Sequence, residues 1–152
     1  GDVYKRQMIC FKGLIKKMAL NGNIGFILFF GPAEEEWRKA YLEDLINDNI
    51  IFLFNEPLKE VVKYLKSCHI YIGNDSGMTH LASSLGIPTI AIFGPTDPEI
   101  WMPLGSNVRV VSADIDCAPC TSDVFQKCNH QKCLESINIK DVADAVDKIN
   151  VW

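Results

Sequence analysis

The alternation of short apolar runs with segments of helical periodicity is the feature that most constrains the fold of this chain. Five runs of four to seven mostly apolar residues span positions 24–30, 50–54, 69–72, 88–93 and 108–111. Such uninterrupted runs are typical of strands that are buried on both faces. Strands that alternate with helices form parallel βαβ units with helices on both faces of the sheet. We therefore predict one α/β domain with a doubly wound parallel sheet, which binds ligands at the carboxyl ends of its strands.

The predicted helices have regular apolar stripes and clear end signals. Apolar residues recur every three or four positions in the segments 11–18, 34–46, 58–65, 78–85 and 139–149. Gly22 and Gly86 are expected to end the first and fourth of these helices. Asp97 and Pro98 suit the N-cap and the first position of a short further helix.

Composition limits the function classes that fit this chain. Its 152 residues are 48% apolar and 22% charged, as expected of a globular domain with a sizeable core. The net charge of −4 excludes a broad basic surface for nucleic acid or lipid phosphates. Residues 1–7 have no apolar periodicity and precede Met8, so we treat them as a sequencing scar or a disordered segment. Residues 8–152 are then a single domain.

The stretch from Ile72 to Ala82 predicts a strand end, a small polar turn and a helix start. Free backbone N–H groups of Ser76 and Gly77 at the start of that helix suit a phosphate group. The Ser76 hydroxyl can donate a hydrogen bond, and His80 follows one turn later on the same side. Asp75 positions a ligand hydroxyl or fixes the turn. The structural alternative is that Asp75 or Ser76 only caps the helix, with His80 a partly buried surface residue.

Several common catalytic motifs are absent from the sequence. No glycine-rich dinucleotide fingerprint and no phosphate-binding loop ending in Gly-Lys-Ser/Thr follows the first predicted strand. Hydride transfer and phosphoryl transfer from a nucleoside triphosphate are therefore disfavoured. A Gly-x-Ser-x-Gly nucleophile elbow is also missing, which disfavours a serine hydrolase.

The segment from Gly73 to Pro98 resembles the C-terminal domain of the bacterial ADP-heptose:lipopolysaccharide heptosyltransferases, glycosyltransferase family 9. Weaker similarity, mainly the helix–strand rhythm and a late Cys-Pro-Cys-type segment, extends over most of Phe11 to Ile149. The resemblance implies a two-domain GT-B fold whose C-terminal, Rossmann-like domain binds the nucleotide-sugar donor. Two motifs carry the resemblance: Asp75-Ser76-Gly77-Met78-Thr79-His80-Leu81-Ala82 and Gly86-Ile87-Pro88-Thr89-Ile90-Ala91-Ile92-Phe93-Gly94-Pro95-Thr96-Asp97-Pro98.

By this resemblance, the backbone N–H groups of Ser76 and Gly77 would hold the donor diphosphate. Asp75 and His80 would contact the sugar-phosphate region. Position 76 is threonine in many members of the family, and the serine here keeps the hydroxyl group. The chain would supply a single nucleotide-sugar-binding domain without the N-terminal acceptor domain.

By the same resemblance, glutamates after the first and second predicted strands would make further contacts with the donor. Glu35 has the best register for the donor ribose, with Glu34 or Glu36 as alternatives, although glutamates in a first helical turn also complement the helix dipole. The turn from Phe54 to Pro57, which includes Glu56, is similar to the family segment that lines the adenine. The alternative is that this turn only begins the next helix.

Four of the six cysteines cluster late in the chain. The order is Cys117-x2-Cys120-x7-Cys128-x4-Cys133, and four thiols at such spacing could bind a structural zinc ion. Reduced, partly buried thiols or a redox-labile pair form the larger alternative, and a catalytic metal is not expected. Cys10 and Cys68 are expected to be small core residues.

The resemblance implies inverting transfer of heptose from ADP-heptose to a lipopolysaccharide inner-core acceptor, with no required cofactor. The general base is expected in the missing N-terminal domain, so this chain alone should bind donor weakly and turn over negligibly. Lipopolysaccharide would be a partner only through that domain, and no nucleic acid partner is expected. The full-length enzyme would work in the cytoplasm, at the inner face of the bacterial inner membrane, where peripheral contact is left to the full-length protein.

Two other function classes stay open on the sequence alone. One is a different GT-B transferase or a nucleotide-sugar epimerase that uses a UDP-linked donor. The other is a noncatalytic nucleotide-binding or zinc-stabilised interaction module.

Overall fold

Helices and strands alternate along the chain as the sequence predicts. The computed structural model describes residues 2–20, 22–32, 34, 45 and 49–149, without the side chains of residues 2–7, 122 and 125. The predicted helix over 34–46 lies outside this part apart from its residues 34 and 45. The described elements are α1 (Asp2–Ala19), β1 (Phe26–Phe30), β2 (Ile50–Phe54), α2 (Leu58–Lys66), β3 (Tyr71–Asn74), α3 (Gly77–Ser84), β4 (Thr89–Phe93), α4 (Pro98–Trp101), β5 (Val108–Ser112), α5 (Ser122–Lys127), α6 (Lys132–Glu135) and α7 (Ile139–Lys148).

All pairings between the described strands are parallel, and they form two ladders. β1 pairs with β2, and the second ladder has the order β3-β4-β5. The α/β class with parallel strands is therefore confirmed. The sequence predicts one sheet and does not show this division, because an apolar run identifies a strand but not its neighbours.

The core lies on both faces of the β3-β4-β5 ladder. All five residues of β4 are buried. Ile72, Ile90 and Ile92 belong to a cluster with residues of α1 and α7 on one face. Tyr71 packs with residues of α2 and α3 in a second cluster. Neighbouring strand residues point to opposite faces, so helices cover both sides of this ladder, as a doubly wound fold requires.

Helix α1 packs against both ladders. Leu14 belongs to the cluster that includes β4, β5 and α7, and Ile15 packs with Phe30 of β1 and Leu45. Gly13 faces Ile139 so closely that an added Cβ would overlap its side chain. The helix begins at Asp2, nine residues before the segment 11–18 that the apolar periodicity predicts. A helix nucleated by packing of its later turns gains one hydrogen bond for each residue it adds.

The predicted helix ends are present. Gly22 and Gly86 both have φ of +78°, the left-handed conformation that favours glycine after a helix. The Asp97 side chain caps α4 by accepting a hydrogen bond from the Glu99 N–H at 2.9 Å. None of the helices in the described part of the chain has the length and hydrophobicity that crossing a bilayer requires.

Replacing Ile90 with alanine should lower the free energy of unfolding by about 2–5 kcal/mol, because its side chain is 0% exposed and the lost volume leaves a cavity. Urea denaturation followed by circular dichroism measures this loss. Ile100→Ala is the matched control, since Ile100 is 70% exposed and should change stability by about 0.5 kcal/mol or less. Equal losses for the two variants would contradict the position of β4 in the core.

Candidate functional site

The predicted phosphate-binding turn lies at the carboxyl edge of the β3-β4-β5 ladder. β3 ends at Asn74, two residues later than predicted, and α3 begins at Gly77. Asn74 is in register with Ile92 of β4. The Asp75 N–H donates to the Ile92 carbonyl at 2.9 Å. The turn is thus fixed to the neighbouring strand and not only to its own.

The start of α3 has two backbone N–H groups without an acceptor in the described part of the chain. Ser76 is the N-cap residue in an extended conformation, and its carbonyl accepts from the N–H groups of Thr79 and His80. Among the described residues, no acceptor bonds the N–H groups of Ser76 and Gly77. A Cβ added at Gly77 would meet nothing within 4 Å. An anion can therefore approach these N–H groups at the positive end of the helix dipole.

The Ser76 hydroxyl does not cap the helix, contrary to the structural alternative. It makes no capping hydrogen bond and lies 3.3 Å from the Thr79 hydroxyl, which donates to the Asn74 carbonyl. Burial raises the pKa of Tyr71, and the nearby Thr79 and Ser76 hydroxyl groups offset part of this rise. A Cβ at Gly73 would lie 2.5 Å from the Tyr71 hydroxyl. The lack of a side chain at Gly73 therefore leaves room for the Tyr71 ring.

Asp75 and His80 face each other beside this turn. Asp75 Oδ1 lies 3.7 Å from His80 Nε2, and the two side chains are 21% and 44% exposed. Asp75 Oδ2 accepts a hydrogen bond from the Thr96 hydroxyl at 2.7 Å. The structure thus brings together all four residues predicted here, and both side chains keep atoms that a ligand can reach.

Sequence reasoning missed three residues of this arrangement, namely Tyr71, Thr79 and Thr96. Thr96 follows the carboxyl end of β4, which adjoins the carboxyl end of β3 in a parallel sheet. That adjacency was the available signal, because ligand-site residues of such sheets collect at this edge. Tyr71 lies between Ile70 and Ile72 and is predicted only as a strand residue, while Thr79, between Met78 and His80, has no signal of its own.

The glutamates of the β1-β2 ladder are not brought to this turn by any described contact. Glu34 Oε2 accepts from the Gly31 N–H at 2.8 Å, so that carboxylate closes the turn after β1. Glu35 and Glu36 lie outside the described residues. Glu56 is exposed after β2 and bonds no other described side chain. The roles of Glu35 and Glu56 in donor binding therefore stay predictions.

Comparison with known proteins identifies the family. A family model described as glycosyltransferase family 9 (heptosyltransferase) matches residues 8–130. The chain belongs to glycosyltransferase family 9. It is 31% identical over 143 residues to a lipooligosaccharide heptosyltransferase 2 of Campylobacter jejuni, covering 88% of this chain and 44% of that protein. It is 30% identical over 113 residues to a lipopolysaccharide heptosyltransferase 1 of Pseudomonas aeruginosa, covering 74% of this chain and 31% of that protein.

Solved structures of the family share this fold. A family 9 glycosyltransferase from Veillonella parvula has a TM-score of 0.75 at 24% identity, covering 90% of this chain and 39% of that one. The ADP-heptose lps heptosyltransferase II of E. coli has a TM-score of 0.72 at 23% identity, covering 91% and 39%. The chain therefore spans less than half the length of these relatives.

The cysteines of the family 9 chain are free thiols. Cys117, Cys120, Cys128, Cys133 and the neighbouring His130 line one cavity of about 310 Å³. In the described residues, no three His, Cys, Asp or Glu side chains are grouped closely enough to hold a metal ion. The cavity thus gathers the four thiols without assembling a zinc site.

The thiols expected in the core are only partly buried. Cys10 and Cys68 are half-buried, while Cys133 of the late cluster is buried. The Cys68 thiol lies 3.3 Å from the Tyr64 carbonyl and donates to it, and burial raises its pKa. The expectation that Cys10 and Cys68 are core residues is therefore only partly met.

Cys128 should be the thiol of the cluster that alkylates at the lowest pH. The backbone N–H groups of His130 and Gln131 lower the pKa of the Cys128 thiol, whereas burial raises the pKa of Cys133. As the pH rises, Cys128 should therefore become a thiolate, which is the reactive form, before Cys133 loses its proton. Iodoacetamide labelling between about pH 7 and pH 9, followed by peptide mass spectrometry, measures the alkylation rates of Cys128 and Cys133.

Cys68 serves as the internal control for this labelling, since its pKa is raised, and Cys128→Ser should remove the fast-labelled peptide. Labelling of Cys133 or Cys68 before Cys128 as the pH is raised would contradict the expected order.

Proposed function

We propose that this chain is the donor-binding half of an inverting heptosyltransferase, which transfers heptose from ADP-heptose to an inner-core lipopolysaccharide acceptor. The observation that carries the proposal is the open helix start at Ser76 and Gly77 beside the Asp75–His80 pair. Membership of family 9 and the names of the relatives support the sugar and the acceptor. The proposal includes a cytoplasmic enzyme that acts at the inner face of the bacterial inner membrane and contacts the acceptor through a part outside this chain.

The proposed site stabilises the leaving group. An acceptor hydroxyl attacks the anomeric carbon, a general base outside this chain takes its proton, and the bond from that carbon to the diphosphate breaks. Negative charge then grows on the diphosphate of ADP. The N–H groups of Ser76 and Gly77 have no acceptor among the described residues and would bond this charge without reorganising. No cofactor is required by these steps.

Asp75 and His80 are proposed to orient the sugar and its phosphate. Asp75 Oδ1 is the carboxylate oxygen that accepts from a sugar hydroxyl, since Thr96 bonds the other oxygen. His80, when protonated, places a positive charge beside the phosphate and within 3.7 Å of Asp75 Oδ1. Glu35 would accept from the ribose hydroxyls, and the turn with Glu56 would line the adenine. Because the general base lies elsewhere, this chain alone should not turn over.

The base of the nucleotide is the first property to test. Isothermal titration of the 152-residue chain should show that ADP binds at least about tenfold more tightly than UDP, equivalent to about 1.4 kcal/mol. Asp75→Ala and His80→Ala in a protein that carries both halves should reduce heptose transfer. Preference for UDP would overturn the ADP-heptose assignment. Unchanged transfer by both variants would show that the donor site lies elsewhere.

Gly77→Ala should raise the Kd for ADP about tenfold or more, because the new methyl group obstructs a phosphate that bonds the neighbouring N–H groups. Its stability should be unchanged, since the added Cβ meets nothing within 4 Å. Isothermal titration and thermal unfolding measure the two effects separately.

Gly25→Ala is the matched control for this substitution. Its Cβ would make only an ordinary contact, 3.6 Å from the Asn49 carbonyl, and it lies before β1, away from the proposed diphosphate position. ADP affinity that is equal in the two variants would argue against an anion at the start of α3.

A further inference from the structure

Thr96 connects the turn after β4 to the turn after β3. Its hydroxyl donates to Asp75 Oδ2 at 2.7 Å, between residues 21 positions apart in the chain. A hydrogen bond to an ionised carboxylate is stronger than one between neutral groups. The hydrogen bond from Thr96 therefore fixes the Oδ2 atom of Asp75, a residue of the proposed donor site.

Asp75 is held at two points. Its backbone N–H donates to the Ile92 carbonyl, which sets the position of the Cα atom. Its Oδ2 atom is bonded to Thr96, which sets the rotation of the carboxylate. Among the described residues, Oδ1 is the oxygen without a donor at hydrogen-bond distance, and it lies 3.7 Å from His80 Nε2. Without Thr96, rotation about χ2 of an aspartate is broad and the two oxygens exchange places.

The turn that carries Thr96 is itself anchored. The Cys120 N–H donates to the Pro95 carbonyl at 2.7 Å. Gly94 is packed so closely against Leu134 that an added Cβ would lie 2.6 Å from its Cγ atom. Asp97, on the other side, caps α4. Thr96 thus lies between fixed neighbours, and the direction of its hydroxyl is set by the fold.

We propose that Thr96 is a positioning residue, which presents Asp75 Oδ1 to a hydroxyl of the donor sugar. The inference rests on the proposed function, because it takes Asp75 as a donor contact. It assigns to Thr96 an effect on the sugar and not on the nucleotide, since the diphosphate is held by backbone N–H groups.

The test compares ADP-heptose with ADP on the 152-residue chain by isothermal titration. Thr96→Val keeps the shape and removes the hydroxyl, and it should raise the Kd for ADP-heptose about tenfold while leaving the Kd for ADP within about twofold. Thr96→Ser should restore most of the ADP-heptose affinity. Thr121→Val is the control, because Thr121 is exposed in a loop. The inference would be overturned if Thr96→Val weakened the binding of ADP-heptose and ADP equally, or if Thr96→Ser did not restore ADP-heptose affinity.

A double-mutant cycle tests whether Thr96 acts through Asp75. In an Asp75→Ala background, Thr96→Val should have no further effect on ADP-heptose affinity. The same cycle measured by the urea midpoint should show coupling without any ligand. Additive effects in both cycles would overturn the inference. Failure of the wild-type chain to bind ADP would instead overturn the proposed function, and the urea cycle would then decide the role of Thr96 by itself.

Discussion

The burial of β4 is the constraint on which the candidate site depends. All five of its residues are buried and its backbone pairs on both sides, with β3 and with β5. A central strand without solvent contact must satisfy its polar backbone within the sheet, because each unpaired buried group is costly. Its register with β3 is thereby fixed. The two carboxyl ends come together, and the Ile92 carbonyl bonds the first residue of the turn after β3.

Under the proposed function, this constraint also explains how a weakly acidic chain would bind an anion. The net charge is −4, so attraction of a diphosphate by a basic surface is not available. Oriented N–H groups at the start of α3 provide a local positive potential without a net charge. His80 adds charge when protonated, directed by Asp75 at 3.7 Å. The anion site therefore requires accurate placement of one turn, which the pairing of β3 with β4 supplies.

The sequence predicted the parts of the structure that are local in the chain. Apolar runs located the strands to within two residues, and Gly22, Gly86 and Asp97 marked helix ends because their roles involve neighbours only. The Asp75-Ser76-Gly77 turn was found for the same reason. Thr96 was not, since its partner lies 21 residues away and no periodicity records that contact. The division of the strands into two ladders also depends on packing at long range.

Helix α1 then determines how the two ladders act together. Leu14 packs on the ladder that carries Asp75, and the next residue, Ile15, packs on the ladder of β1 and β2. Consecutive helical side chains point about 100° apart, so one helical turn contacts both cores. Under the proposed function, the diphosphate lies at the first ladder, while Glu35 and Glu56 follow strands of the second. The distance between the two ends of the donor would thus depend on the packing of α1 between the two ladders.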